Sequence, residues 1–152
     1  MRRDVVRQGL WAAVVAGMAT LGALVGFGRA HGGWLQPVNA VAHPVLGTRA
    51  LLLDGFDPAV TGTALVIHLL AIGVWAFLFT LVAGSRRGAG LVIAAAVFTA
   101  SVFVIDQHLL PATFAPGFER VLSTSETVVV YITLALALVV GARLGALERD
   151  DA

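Results

Sequence analysis

Residues 59–110 read AVTGTALVIHLLAIGVWAFLFTLVAGSRRGAGLVIAAAVFTASVFVIDQHLL. Two apolar runs, Ala59 to Ala83 and Gly88 to Leu110, are joined by the short turn Gly84-Ser85-Arg86-Arg87. Each run is long enough to cross the ~30 Å hydrocarbon layer of a bilayer as a helix, which takes about 20 residues. An open chain must be helical there, because lipid offers nothing to backbone donors and acceptors. Working outward, a further run lies at Gln8 to Gly28 and another at Glu126 to Gly145. The sequence predicts an all-α membrane protein. It forms one four-helix transmembrane domain over residues 1–152, with spans at 8–28, 59–83, 88–110 and 126–145 and a long loop at 29–58.

Composition agrees. Of the 152 residues, 59% are hydrophobic and 12% charged, where a soluble domain carries roughly 25% charged residues. There is no cysteine, which excludes disulfides, thiolate metal sites and cysteine nucleophiles. All ten basic residues are arginine and they are scattered, so there is no basic patch for nucleic acid.

The arginines set an orientation. Arg2, Arg3, Arg7, Arg86, Arg87, Arg143 and Arg149 fall on one side of the four spans; Arg29, Arg49 and Arg120 fall on the other. The positive-inside rule then places both termini in the cytoplasm and the 29–58 loop outside. Met1-Arg2-Arg3 would suit a signal peptide, but the apolar run that follows is longer than the usual 7–15 residues. The first span is expected to be retained.

Small residues recur at four-residue spacing: Gly9, Ala13 and Gly17, then Gly22 and Gly26; Gly90 with Ala94 and Ala96 with Ala100; Ala137, Gly141 and Gly145. Such stripes let helix backbones approach closely in lipid. They serve the bundle itself, a homo-oligomer or a protein partner. In the long loop, Pro37 suits a first helical turn that Pro44 and Gly47 would interrupt, and the middle, Pro37 to Leu53, is apolar enough to lie against the membrane or to cap the bundle. Asp57-Pro58 reads as an N-cap followed by proline at the first helical position.

Ionisable residues inside spans are candidate site residues by default. His68 lies 19 residues before Arg87 and Asp106 lies 19 after it. At 1.5 Å per residue both stand about 28 Å from the turn, level on adjacent helices. Glu126, 17 residues before Arg143, stands about 26 Å up the last span. The candidate outer-face polar site is therefore His68, Asp106 and Glu126, with His108 just above and His43 and Asn39 able to fold over it. His with carboxylate is also a ligand set for a divalent metal, here His68 and Asp106, although no pair has the i, i+4 spacing of a helical metal motif. Ser123-Thr124-Ser125-Glu126 fits a capping box, which gives Glu126 a structural role instead. His31 and the aromatics Trp75, Phe77, Phe79, Phe98 and Phe103 are read chiefly as structural. Between the polar layer and the inner arginines, spans two to four offer Thr80, Thr99, Ser101, Thr133 and Tyr131, with no carboxylate or lysine, which counts against an ion pump or carrier.

The order Val38-Asn39-Ala40-Val41-Ala42-His43, Val66-Ile67-His68-Leu69, basic turn, then Asp106-Gln107-His108-Leu109-Leu110-Pro111 resembles small four-span bacterial inner-membrane proteins of the YagU-like type. The resemblance implies a fold, a topology and a bacterial inner-membrane location, and brings no catalytic set. The functional expectation is a non-catalytic accessory or scaffold subunit of a larger membrane complex. The alternative is binding of a small ligand, metal or haem at the outer polar pocket, and behind it stands a membrane enzyme using that polar layer for acid–base chemistry, or an ion or proton carrier. No cofactor is required by the sequence, and no motif names a reaction.

Overall fold

The computed structural model describes the backbone of residues 2–147 and the side chains of residues 5–147; Arg149 and the side chains of Arg2 and Arg3 lie outside these. Helix α1 covers Arg2–Ala30; α2 Gln36–Ala40, α3 His43–Leu46 and α4 Thr48–Leu52 are short; α5 is Pro58–Ala83, α6 is Gly88–Val104 and α7 is Thr124–Leu147. A π-helical turn, Ile105–Leu109, prolongs α6, and a 3-10 turn, Phe118–Arg120, precedes α7. Four helices are long and apolar enough to cross a membrane: Val5–Ala30, Pro58–Ala83, Gly88–Leu109 and Thr124–Leu147. This is the make-up of a multi-pass membrane protein. Its outward faces are apolar, with Leu69, Leu70 and Val74 exposed on α5 and Ile93 and Val97 on α6, as contact with lipid requires.

The long helices alternate in direction. Arg7 near the start of α1 donates from Nε to the Gly145 carbonyl near the end of α7 at 2.8 Å, and Ala12 meets Gly141. α1 is the central helix, packed most extensively on α7 and then on α5, while α6 leans on α7 and touches α5 sparingly. The α1–α7 seam is close because of glycine: a Cβ at Gly141 would stand 2.5 Å from Ala12 Cα, and one at Gly145 2.7 Å from Gln8 Cα. On its other side α1 presents Gly9 to the Phe77 ring of α5. Gly22, Gly26 and Gly90 have open space where a Cβ would stand, so those stripes are not used within the chain.

Caps fall where local chemistry places them. Asp57 Oδ1 accepts from the amides of Ala59 at 2.9 Å and Val60 at 3.0 Å, with Pro58 at the first helical position where a missing N–H costs nothing. Arg86 closes the other end of α5, donating from Nη1 to the carbonyls of Val82 and Ala83. The α6 axis ends at Pro111, which drives Leu110 into extended backbone, φ −71° and ψ 138°.

The 31–57 segment is mostly folded. Pro37 opens α2 as expected, and Val38, Ala40, Val41 and Ala42 are buried, so this segment caps the end of the bundle opposite the Arg86–Arg87 turn. Gly117 takes φ 89° against it, since any Cβ there would run into the Ala40 carbonyl.

Candidate functional site

His68 belongs to the inward stripe of α5, with Ala64, Ile72 and Ala76 at four-residue intervals and all buried. Its Nε2 is 3.1 Å from Thr20 Oγ1 and 3.2 Å from the Gly17 carbonyl on α1. Thr20 gives its hydroxyl proton to the Ala16 carbonyl at 2.7 Å, so toward His68 both neighbours are acceptors. This assigns the ring proton to Nε2. In the neutral ring Nδ1 is then an acceptor, and it makes no hydrogen bond among the described residues.

Asp106 follows Val102 by four residues on the buried face of α6 and sits in the π-helical turn. Insertions of this kind are frequent at functional sites. Tyr131 of α7 donates its hydroxyl to Asp106 Oδ2 at 2.9 Å, and Gln107 Nε2 stands 3.4 Å from the same hydroxyl. The Tyr131 ring is fixed by Phe103, edge to face at 5.1 Å, and by Phe118 at 6.2 Å.

His68, Asp106 and Tyr131 line one cavity of about 470 Å³. All four long helices contribute to it, α1 through Thr20 and Leu24. Val41 and Pro44 border it from the capping segment, Phe114 and Phe118 from the loop before α7, and Trp75 from deeper on α5. The wall is apolar apart from the His68, Thr20, Asp106 and Tyr131 groups. Its size is within the roughly 300–1,000 Å³ of small-molecule sites, which combine an apolar lining with a few placed polar groups.

The other expected site residues lie elsewhere. Glu126 is not part of this cavity: its carboxylate accepts from the Ser123 amide at 2.9 Å and the Ser123 hydroxyl at 2.7 Å, completing the capping box, and pairs with His31 at 2.9 Å. Height along the axis placed it near His68, but its rotation about α7 turns it to the chain entering the helix. Asn39 is wholly buried and works as a clasp. It donates to the carbonyls of Leu53 and Gly55 at 3.0 and 2.8 Å and accepts from Thr61 at 2.8 Å. His43 packs beside Gly117, with a buried Nδ1 that has no hydrogen-bond partner among the described residues. His108 is exposed and stands edge to face with Phe103 at 6.0 Å. Among the described residues no group of three or more His, Asp or Glu side chains is placed to hold a metal ion, so His68 and Asp106 lack the further protein ligands of a closed metal centre.

Two participants were not singled out from the sequence. In the sequence Tyr131 reads only as a mid-span polar residue, and Thr20 does not stand out within an apolar helix. Both occupy inward positions, Tyr131 four residues after buried Thr127 and Thr20 four after buried Ala16. Inward polar residues at helical spacing are the signal that finds them. No protein-family model, curated protein or solved structure matches the chain.

Proposed function

We propose that the protein is a non-catalytic membrane binding protein whose ligand occupies the His68–Asp106–Tyr131 cavity. One observation carries the reading: ionisable side chains from two different spans line one otherwise apolar cavity. Ionisable groups are costly within spans and are normally kept for a site. The ligand class follows from the lining. It is a lipid-soluble molecule with an apolar body and a hydrogen-bonding head, which His68 Nδ1 and the Asp106–Tyr131 pair are suited to hold. Extraction in mild detergent followed by mass spectrometry of bound small molecules tests this. Wild type is expected to carry a species that His68→Phe with Asp106→Leu loses. Equal retention of every bound species by both proteins defeats the reading.

A second reading, association with a protein partner or another copy, is favoured by the lipid-facing groove of about 580 Å³ between α6 and α7. Its wall includes Ala96, Ala100 and Thr99, and the buried Thr99 hydroxyl has no partner among the described residues. Ala96→Leu is expected to abolish a cross-linked species formed in native membranes. For orientation, the arginine excess supports cytoplasmic termini, which cysteine labelling at positions 48 and 85 in sealed vesicles would test from opposite sides.

A further inference from the structure

At the end of the bundle where α5 turns into α6, a cleft of about 610 Å³ is lined by Arg86, Arg87 and Arg143 together with Gln8 and Ser85. No carboxylate lines it among the described residues. Arg86 is partly committed, its Nη1 donating to Val82 and Ala83 carbonyls. Arg87 and Arg143 are exposed and make no hydrogen bond or ion pair among the described residues. Helix α6 starts at the same place, and Arg87, its N-cap residue, supplies no side-chain cap. The first amides of a 17-residue helix therefore open beside the cleft, and a helix N-terminus carries a partial positive charge. The two cavities described above have no arginine in their walls.

These features converge on one chemistry. Guanidinium groups with no carboxylate partner among the described residues present planar forks of N–H donors that match phosphate oxygens two at a time. Backbone amides at a helix start add donors pointing the same way. The cleft opens between helices at the end of apolar spans, where anionic lipid headgroups meet basic pockets. We propose that this cleft binds a phosphate-bearing anion, held by Arg87 and Arg143 with the α6 amides as additional donors. The source of the phosphate is a lipid headgroup or a soluble phosphate. The site is remote in sequence from the His68 cavity and does not depend on what that cavity binds.

The test uses the full chain in detergent. Native mass spectrometry would follow retention of phosphatidylglycerol against phosphatidylcholine of the same acyl chains. Thermal shift would follow sodium phosphate against chloride at equal ionic strength. Each arginine near a phosphate layer is worth about fivefold in affinity, so Arg87→Gln with Arg143→Gln should weaken phosphatidylglycerol retention roughly 25-fold. Arg29→Gln with Arg49→Gln removes the same charge at the other end and should leave retention within about twofold. An arginine-dependent shift with sodium phosphate, and no preference among lipids, would assign the site to a soluble phosphate. If the cleft variant does not fold, Arg87→Lys with Arg143→Lys and the wild-type lipid preference decide. The proposal is overturned if wild type holds both lipids equally and shows no phosphate shift, or if the cleft and control variants behave alike.

Discussion

Gly141→Ala places one methyl group where α1 and α7 cross. The added carbon would lie 2.5 Å from Ala12 Cα, 2.7 Å from the Trp11 carbonyl oxygen and 2.8 Å from the Ala12 nitrogen. Carbon atoms rest at about 3.5 Å or more, so the two helices must part by about 1 Å. All three obstacles are backbone, and no rotamer change absorbs the overlap. The parting is felt along the seam, through Gly145 against Gln8 and through the wholly buried Ala12 and Ala16. Overpacking of this kind costs about 1–3 kcal/mol, and alanine's better helix propensity returns up to about 1 kcal/mol. The net loss, about 1–2 kcal/mol, changes the folding equilibrium roughly 5- to 30-fold. Titration of detergent-solubilised protein with dodecyl sulfate, followed by tryptophan fluorescence, should show the lowered midpoint. Gly22→Ala is the matched control, since nothing lies within 4 Å of a Cβ there, and it should be neutral or slightly stabilising. Equal midpoints for the two variants would refute the claim that the α1–α7 seam is a backbone-to-backbone contact.

Tyr131→Phe removes the donor to Asp106 Oδ2 and should destabilise by about 1–3 kcal/mol, whereas adding Asp106→Leu should restore most of the loss, because an unpaired buried group costs more than a missing pair; a double-mutant cycle of unfolding midpoints reads this directly. Thr20→Val removes one of the two acceptors at His68 Nε2 and should cost about 0.6 kcal/mol, the typical worth of a hydrogen bond between membrane helices, with a larger proportional loss of any cavity-bound molecule in extraction assays. The Val60 amide, then that of Ala59, and the Arg49 guanidinium hold the Asp57 carboxyl below the usual carboxylate range. A group depressed on folding stabilises above its unfolded pKa, about 3.9, and loses that contribution as pH falls through the folded value. Intrinsic-rate-corrected exchange of the Ala59 and Val60 amides should therefore be flat from about pH 7 to 5 and quicken below about 4.

Much of the bundle was legible because lipid imposes a simple rule on length and polarity. Span edges at Ala83 and Gly88 were read directly, since Arg86 and Arg87 cannot sit in hydrocarbon and helix α5 must stop before them. The Asp57 cap and the Ser123–Glu126 box were equally readable, being local chemistry. The common cavity of His68 and Asp106 was half readable. Counting residues from Arg87 gives both one height, whereas the inward face of each appears only in the fold, with Ala64, Ile72 and Val102 buried beside them. Glu126 shows what height alone omits, because rotation about the helix decides which neighbour a side chain meets. Helix neighbours were not readable at all. Nothing local to Gln8 or Gly145 announces that they touch, so the central place of α1, and with it Thr20 as a partner of His68, required the assembled fold. The π-helical turn was hidden for a similar reason: Ile105–Leu109 has no breaker of its own, and the insertion appears only in the Leu110 amide bonding to the Ile105 carbonyl at 2.9 Å.

The cavity has a cause in packing. Helices joined by a tight turn would ordinarily lie against each other along their length, yet α5 and α6 touch sparingly. Around the middle of the two helices the space between them is filled by rings: Phe98 of α6 meets Trp75 at 6.1 Å and Phe79 at 5.6 Å. Aromatic side chains of this size hold two backbones farther apart than the alanine and glycine contacts that α1 makes with α7. Beyond Trp75 the inward residues of α5 and α6 that face the cavity are His68 and Ile72 on one side and Val102 and Asp106 on the other. Both ionisable side chains stand in the space on the far side of these rings from the turn. The hydrogen bonds from α1 and α7 then fix their geometry: Gly17 and Thr20 orient the His68 ring, and Tyr131 orients the Asp106 carboxyl. His68 Nε2 and Asp106 Oδ2 are thus each engaged by a neighbouring helix, while His68 Nδ1 and Asp106 Oδ1 make no hydrogen bond among the described residues. Under the proposed binding function, that division of contacts would supply the preorganisation a site requires. A histidine or carboxylate kept only for packing would gain more by spending every polar atom on its neighbours.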